Sequence, residues 1–178
     1  MRLDDTMETM EAMKTRRSVR GFTDENVGDE AITSILEAGR WAPSGLNNQP
    51  WRFIVVRSPE TKVEMSKLTV YGPTIKNAPL LVVVFLDKEH IYNYVKDVQS
   101  IGACIQNMLL CIHSLGLGGV WLGEILKSSE MVNKVLDAPD SFELMAVIAI
   151  GHPAKKPQIP ERKELDQLVF REKFGKSW

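Results

Sequence analysis

Tyr94-Val95-Lys96-Asp97-Val98-Gln99-Ser100-Ile101-Gly102-Ala103-Cys104-Ile105-Gln106-Asn107-Met108-Leu109-Leu110-Cys111-Ile112-His113-Ser114-Leu115 is the stretch on which the architecture turns. Helical spacing sets Ile101, Ile105, Met108, Leu109 and Ile112 on one stripe, while Ala103, Cys104, Leu110 and Cys111 carry apolar surface onto other faces. A helix apolar nearly all round must be buried nearly all round. In a chain of 178 residues a second copy is the natural source of the missing cover, so this helix is predicted at a dimer interface. Gly116 ends it, and Gly118-Gly119-Val120-Trp121-Leu122-Gly123 reads as a short strand with close backbone approaches.

Working outward, Ser128 or Ser129 caps a helix carrying Met131, Val132, Val135 and Leu136, and Phe142 to Ile150 reads as a buried strand. Pro153, Pro157 and Pro160 rule out regular helix beyond Gly151, which predicts an extended tail without a core of its own. Toward the N-terminus, the β-branched run Leu80 to Leu86 has the composition of a strand buried on both faces. Ser58-Pro59 starts a helix reaching about Leu68, and Trp51 to Val56 is β-rich. Asp29 reads as the N-cap of a helix with Ile32, Ile35, Leu36 and Gly39 at helical spacing, stopped by Pro43. Thr6 is the expected cap of a first helix containing Met7, Met10 and Met13. Helices and strands alternate unevenly, so the expectation is a single α+β domain over residues 1–178.

Composition narrows the partners. A net charge of −1 gives no global field for nucleic acid or an anionic membrane, and none is expected. Cys104 and Cys111 stand on one helical face, roughly 10 Å apart along the axis, beyond the reach of a disulfide. Ile101 to Leu115 holds Gln106, Asn107, His113 and Ser114 and is shorter than the roughly 20 residues that a bilayer requires. The N-terminus has no apolar signal segment, which points to a soluble, cytoplasmic protein.

Nucleotide-binding glycine fingerprints, a nucleophile elbow and metal-ligand spacing of His90, His113 and His152 are all missing. His113, inside an apolar helix, reads as a core histidine rather than a base. Two other segments stand out. Arg16-Arg17-Ser18-Val19-Arg20 packs three guanidiniums and a hydroxyl into five residues, donor chemistry suited to a phosphate. An Arg cluster at a helix C-terminus also serves the helix dipole. Ala42-Pro43-Ser44-Gly45-Leu46-Asn47-Asn48-Gln49-Pro50-Trp51 offers hydrogen bonds to a planar heterocycle but no proton-transfer group. Together they point to a phosphorylated cofactor that carries the chemistry itself.

These two segments, with Gly116-Leu117-Gly118-Gly119-Val120-Trp121-Leu122-Gly123-Glu124 after the long helix, resemble the nitroreductase family from about Met13 to Leu168. The resemblance implies a central, mostly antiparallel sheet flanked by helices, and an intertwined homodimer with shared active sites. It implies FMN as cofactor and NAD(P)H as co-substrate, with hydride passing through flavin N5 to a small acceptor such as a nitroaromatic, quinone or flavin. No side chain is then assigned a catalytic role. Arg16, Arg17, Ser18 and Arg20 would hold the phosphate, ribityl chain and N1–C2=O edge, and Arg162 would return to the phosphate. Pro43, Ser44, Gly45 and Asn47, assisted by Gln49, would cover the ring from the other subunit. Leu122, Gly123 and Glu124 would line the flavin. The family's tail lysine is replaced here by Pro160, followed by Glu161, and the chain is short around Glu89 to Val95, where relatives carry pocket-shaping helices. Alternatives on the same site are flavin ring-opening, dehalogenation or dehydrogenation, or an FMN store or sensor without turnover.

Overall fold

The computed structural model describes residues 8–155 and 161–178; the expected Thr6 cap, Met7, Pro157 and Pro160 lie outside them. Six helices and four strands follow in the order α1 (Thr9–Thr15), α2 (Asp29–Arg40), β1 (Trp51–Val56), α3 (Pro59–Ser66), α4 (Gly72–Asn77), β2 (Leu80–Asp87), α5 (Tyr94–Ser114), β3 (Gly118–Leu122), α6 (Ser129–Val135) and β4 (Phe142–Gly151). The strands form one antiparallel sheet in the order β1-β2-β4-β3. This is the α+β class that the sequence implied.

β2 is buried along its whole length, as an aliphatic run covered on two sides must be. Leu80, Val82, Val84 and Leu86 face a core with Ile32 and Ile35 of α2 and Ile101, Ile105 and Met108 of α5. Leu81, Val83 and Phe85 face a second core with Met65 of α3, Ile75 of α4 and Val132 of α6. The sheet is thus the middle of three layers, and α5 packs on the same side as α2.

The helix ends follow their residues, with corrections. The N-cap of α2 is Gly28, not Asp29; Asp29 is the first helical residue and pairs with Arg57 at 2.7 Å. A carboxylate in the first turn also meets the positive end of the helix. Ser58 caps α3 as read, accepting from Thr61 N at 3.2 Å. Ser128 sits at the N-cap of α6, but its hydroxyl donates to Leu68 O instead. The α4 turn was not anticipated: Gly72, Pro73 and Asn77 look like loop residues. α5 closes with Gly116 at φ +74°, where Gly116 N bonds to His113 O and Leu117 N to Ile112 O. That paired closure needs a left-handed residue, which glycine supplies without a Cβ clash.

Burial of α5 falls short of all round within one chain. Ile101, Cys104, Ile105, Met108 and Ile112 are sealed, while Ala103, Leu110 and Cys111 stay half-buried. Met10 and Met13 of α1 are exposed. Both cysteines are free thiols, and burial pushes Cys104 up to about 12. The tail from Glu161 to Trp178 makes one short 3-10 turn, Leu165–Gln167, and an isolated bridge between Phe170 and Ser177. No helix among the described residues is long and apolar enough to cross a membrane.

Candidate functional site: two half-sites at the ends of one helix

The basic segment begins where α1 stops. Arg16 is the C-cap of α1, and the chain then runs beside β3: Ser18 bridges Gly119 in parallel, and Val19 N donates to Gly119 O at 3.1 Å. Gly118 allows this approach, since a Cβ there would lie 2.8 Å from Val19 Cβ. Farther along, Thr23 N reaches His152 O at 2.9 Å and Ala154 N reaches Gly21 O at 3.1 Å. Two segments singled out separately in the sequence are therefore hydrogen-bonded neighbours.

Arg16 is half-buried, and its guanidinium is driven below its ordinary pKa by burial, then by the charges of Arg162 and Arg17. Arg162 thus comes back to Arg16 from the far end of the chain. No carboxylate forms an ion pair with Arg16, Arg17, Arg20 or Arg162 among the described residues. Arg17 divides its guanidinium. Its Nη1 donates to Lys14 O and Arg16 O, both at 2.7 Å, which stabilises the end of α1, while its Nε is buried without a partner among the described residues. Arg17 thus serves the helix end through Nη1 and keeps a free donor at Nε among the described residues. Arg20 is exposed, with its guanidinium 5.9 Å from the centre of the Tyr71 ring. His113 is half-buried, its Nε2 2.8 Å from Thr15 Oγ, and burial followed by the charges of Arg16 and Arg17 lowers its pKa.

Converging cations that no carboxylate pairs with among the described residues, plus the buried Arg17 Nε, form a donor set that fits a phosphate monoester such as that of FMN. Next to it, Leu122 is buried at the end of β3, and Gly123 is exposed with open space where a Cβ would stand. The Glu124 carboxylate is turned to the α3–α4 junction, where it accepts from Thr69 Oγ at 2.6 Å and Val70 N at 3.1 Å and pairs with Lys127. Hydrogen bonds from Lys127 and Thr69 hold it down at about 2. Sequence reading missed Thr69, Val70 and Tyr71, which carry no local signature.

The amide loop is a different kind of structure. Asn47 N bonds to Ser44 O, Asn48 N to Gly45 O, and Gln49 N to Ser44 Oγ, while Gln49 Nε2 reaches Asn47 O. Leu46, Asn47 and Gln49 all take positive φ, at 52°, 56° and 50°. Pro43, Leu46 and Asn47 are exposed, and the Asn47 side chain makes no hydrogen bond among the described residues. Asn48, absent from the expected site, ties the loop to α5: its Nδ2 donates to Asp97 Oδ1 and to His90 O, both at 3.1 Å.

The structure does not bring these two halves together in one chain. The arginines adjoin His113 near the C-terminal end of α5, and the amide loop adjoins Asp97 in its first turn. Between Asp97 and His113 the helix rises roughly 24 Å at 1.5 Å per residue.

Residues 13–70 and 65–152 match the nitroreductase family. A solved chain from Desulfovibrio desulfuricans, described as a nitroreductase candidate in complex with FMN, is 44% identical. It superimposes with a TM-score of 0.88 and covers 95% of this chain and 99% of its own. A Methanothermobacter thermautotrophicus protein, provisionally described as an NADH dehydrogenase/NAD(P)H nitroreductase, is 37% identical over 91% of this chain and 86% of its own length. An FMN reductase (NADPH) of Bacillus subtilis is 30% identical, over 92% of this chain and 73% of the relative. The family match and these likenesses agree, and the chain belongs to the nitroreductase family.

Proposed function

We propose that this chain is an FMN-dependent NAD(P)H oxidoreductase that works as a homodimer, each flavin site being built from both subunits. Electrons pass to a small acceptor such as a nitroaromatic, a quinone or a free flavin. The observation that carries the shared site is the separation just described. A basic cluster and a ring-covering loop at opposite ends of one helix serve the same flavin only when a second copy brings its loop to the first copy's arginines. The half-buried strip Ala103, Leu110 and Cys111 on α5 supplies a face for that partner.

Bound FMN supplies the redox chemistry. Arg16 and Arg162 neutralise its phosphate, and Arg17 Nε offers a desolvated donor beside them. Ser18 and Arg20 extend the donor row, and Gly123 leaves an open, uncharged space beside the buried Leu122 at the end of β3. The Glu124 carboxylate is occupied by Lys127 and Thr69, so its charge is answered away from that space. Pro43, Ser44, Gly45, Asn47 and Gln49 of the second copy exclude water from the remaining face. Residues 1–178 form one domain in this reading. It works in the cytoplasm, where the free thiols Cys104 and Cys111 stay reduced.

Two measurements test it. The purified protein should show a flavin spectrum that bleaches anaerobically with NADH or NADPH; tight FMN binding without that bleaching would leave a store or sensor. Mixed dimers of Arg16→Ala with Asn47→Ala chains should hold one full-affinity FMN per dimer, because both lesions fall on one site. Sites confined to one chain would leave none intact.

A further inference from the structure

Asp97 has no part in the chemistry above, yet it is fully buried. No lysine, arginine or histidine pairs with it among the described residues. A buried carboxylate without a cation is costly unless hydrogen bonds replace its lost water. Three do so: Tyr92 N at 2.7 Å and Asn93 N at 2.9 Å meet Oδ2, and Asn48 Nδ2 at 3.1 Å meets Oδ1. The first turn of α5 adds its positive end.

These donors lead to the amide loop by two routes. Asn48 sits inside the run of left-handed residues, at φ −74°, and its side chain reaches out of the loop to Asp97. Tyr92, whose N–H the carboxylate fixes, lays its ring against Gly45, where a Cβ would meet Cδ1 at 2.7 Å. Backbone at positive φ in non-glycine residues persists only where the surroundings over-determine it. One carboxylate therefore grips the loop at Asn48 and at Gly45, the two ends of its tight turn.

We propose that Asp97, acting through Asn48 and Tyr92, is the positioning residue that holds the amide loop in the shape with which it covers the partner subunit's cofactor. The inference rests on the shared-site reading. It assigns to a residue in one chain control over cofactor affinity in the other.

Asp97→Asn keeps the side-chain shape. If its one remaining oxygen keeps the Tyr92 and Asn93 N–H groups, its new NH2 confronts the NH2 of Asn48, donor against donor. FMN titration of the Asp97→Asn homodimer should give a Kd raised about tenfold, the effect of one lost charge-assisted contact. Asn48→Ala, which breaks the same link from the loop side without touching α5, should match it. Mixing either variant with Arg16→Ala chains should then restore one full-affinity site per mixed dimer. A general folding defect in the Asp97→Asn chain would also damage its own arginine cluster and leave no such site, which would overturn the assignment. Wild-type affinity in both homodimers would overturn it too. The Arg16→Ala with Asn47→Ala mixture separates the two levels. Its failure removes the shared site and this inference with it, whereas its success beside failed Asp97→Asn and Asn48→Ala mixtures removes the inference alone.

Discussion

The two ends of α5 solve opposite problems. At the C-terminal end Arg16, Arg17 and Arg162 crowd together, and no carboxylate among the described residues pairs with them. At the N-terminal end Ser44 Oγ, the Asp97 carboxylate and the amide NH2 groups of Asn48 and Gln49 are paired within the chain, while Asn48 Oδ1 is buried without a partner among the described residues. In the proposed reading the first region receives an anion, and the second contributes a surface whose value lies in its shape. Binding by charge and binding by contour have been kept apart, so each should respond to a different kind of damage.

The largest effect should come from the charged end. Arg16→Ala should weaken FMN binding by about 1.5–3 kcal/mol, tenfold or more, on titration. The cofactor-free protein should melt no lower than wild type, because a repulsion is removed. Loss of both affinity and apo stability would show the cluster to be structural and break the contrast. Next comes Gly118→Ala, whose Cβ would fall within 2.9 Å of all three Val19 side-chain carbons. Prying Val19 from Gly119 should cost about 1–3 kcal/mol in chemical denaturation.

Gly45→Ala sharpens the comparison from the other side. Its Cβ meets the half-exposed Tyr92 ring, which can yield, so the expected cost is about 1 kcal/mol of stability, with a measurable loss of FMN affinity. Smaller still is an acid effect. The folded pKa of Glu124, about 2, lies below the ordinary 4.5, so its contribution is present above pH 4.5 and is lost as pH falls toward 2. The melting-temperature gap between wild type and Glu124→Gln should close across that window. A gap that stays constant would show that Lys127 and Thr69 do not hold the carboxylate.

The strands were legible because their residues leave few options: Trp51–Val56 and the all-buried Leu80–Asp87 match their apolar, β-branched runs. So was the turn at Gly116, and the arginine and amide segments announced themselves by composition. What escaped was set by partners distant in sequence. Asn48 and Asp97 stand 49 residues apart, and nothing local marks either as the other's partner. The burial of Arg17 Nε and the turning of Glu124 toward Thr69 are likewise decided by three-dimensional neighbours. Short helices such as α4, built on Gly72 and Pro73, form because the second core needs Ile75, not because their residues favour helix.

In the proposed dimer, where its two ends serve different flavin sites, α5 becomes a ruler. Inserting one residue between Asp97 and His113 would shift one end against the other by about 1.5 Å and turn it through about 100°. Neither flavin pocket of a pair would then close, however well each segment kept its own conformation. Exposed positions such as Gln106 and Ser114 can vary, but in that reading the length of the rod is a dimension that both copies must share.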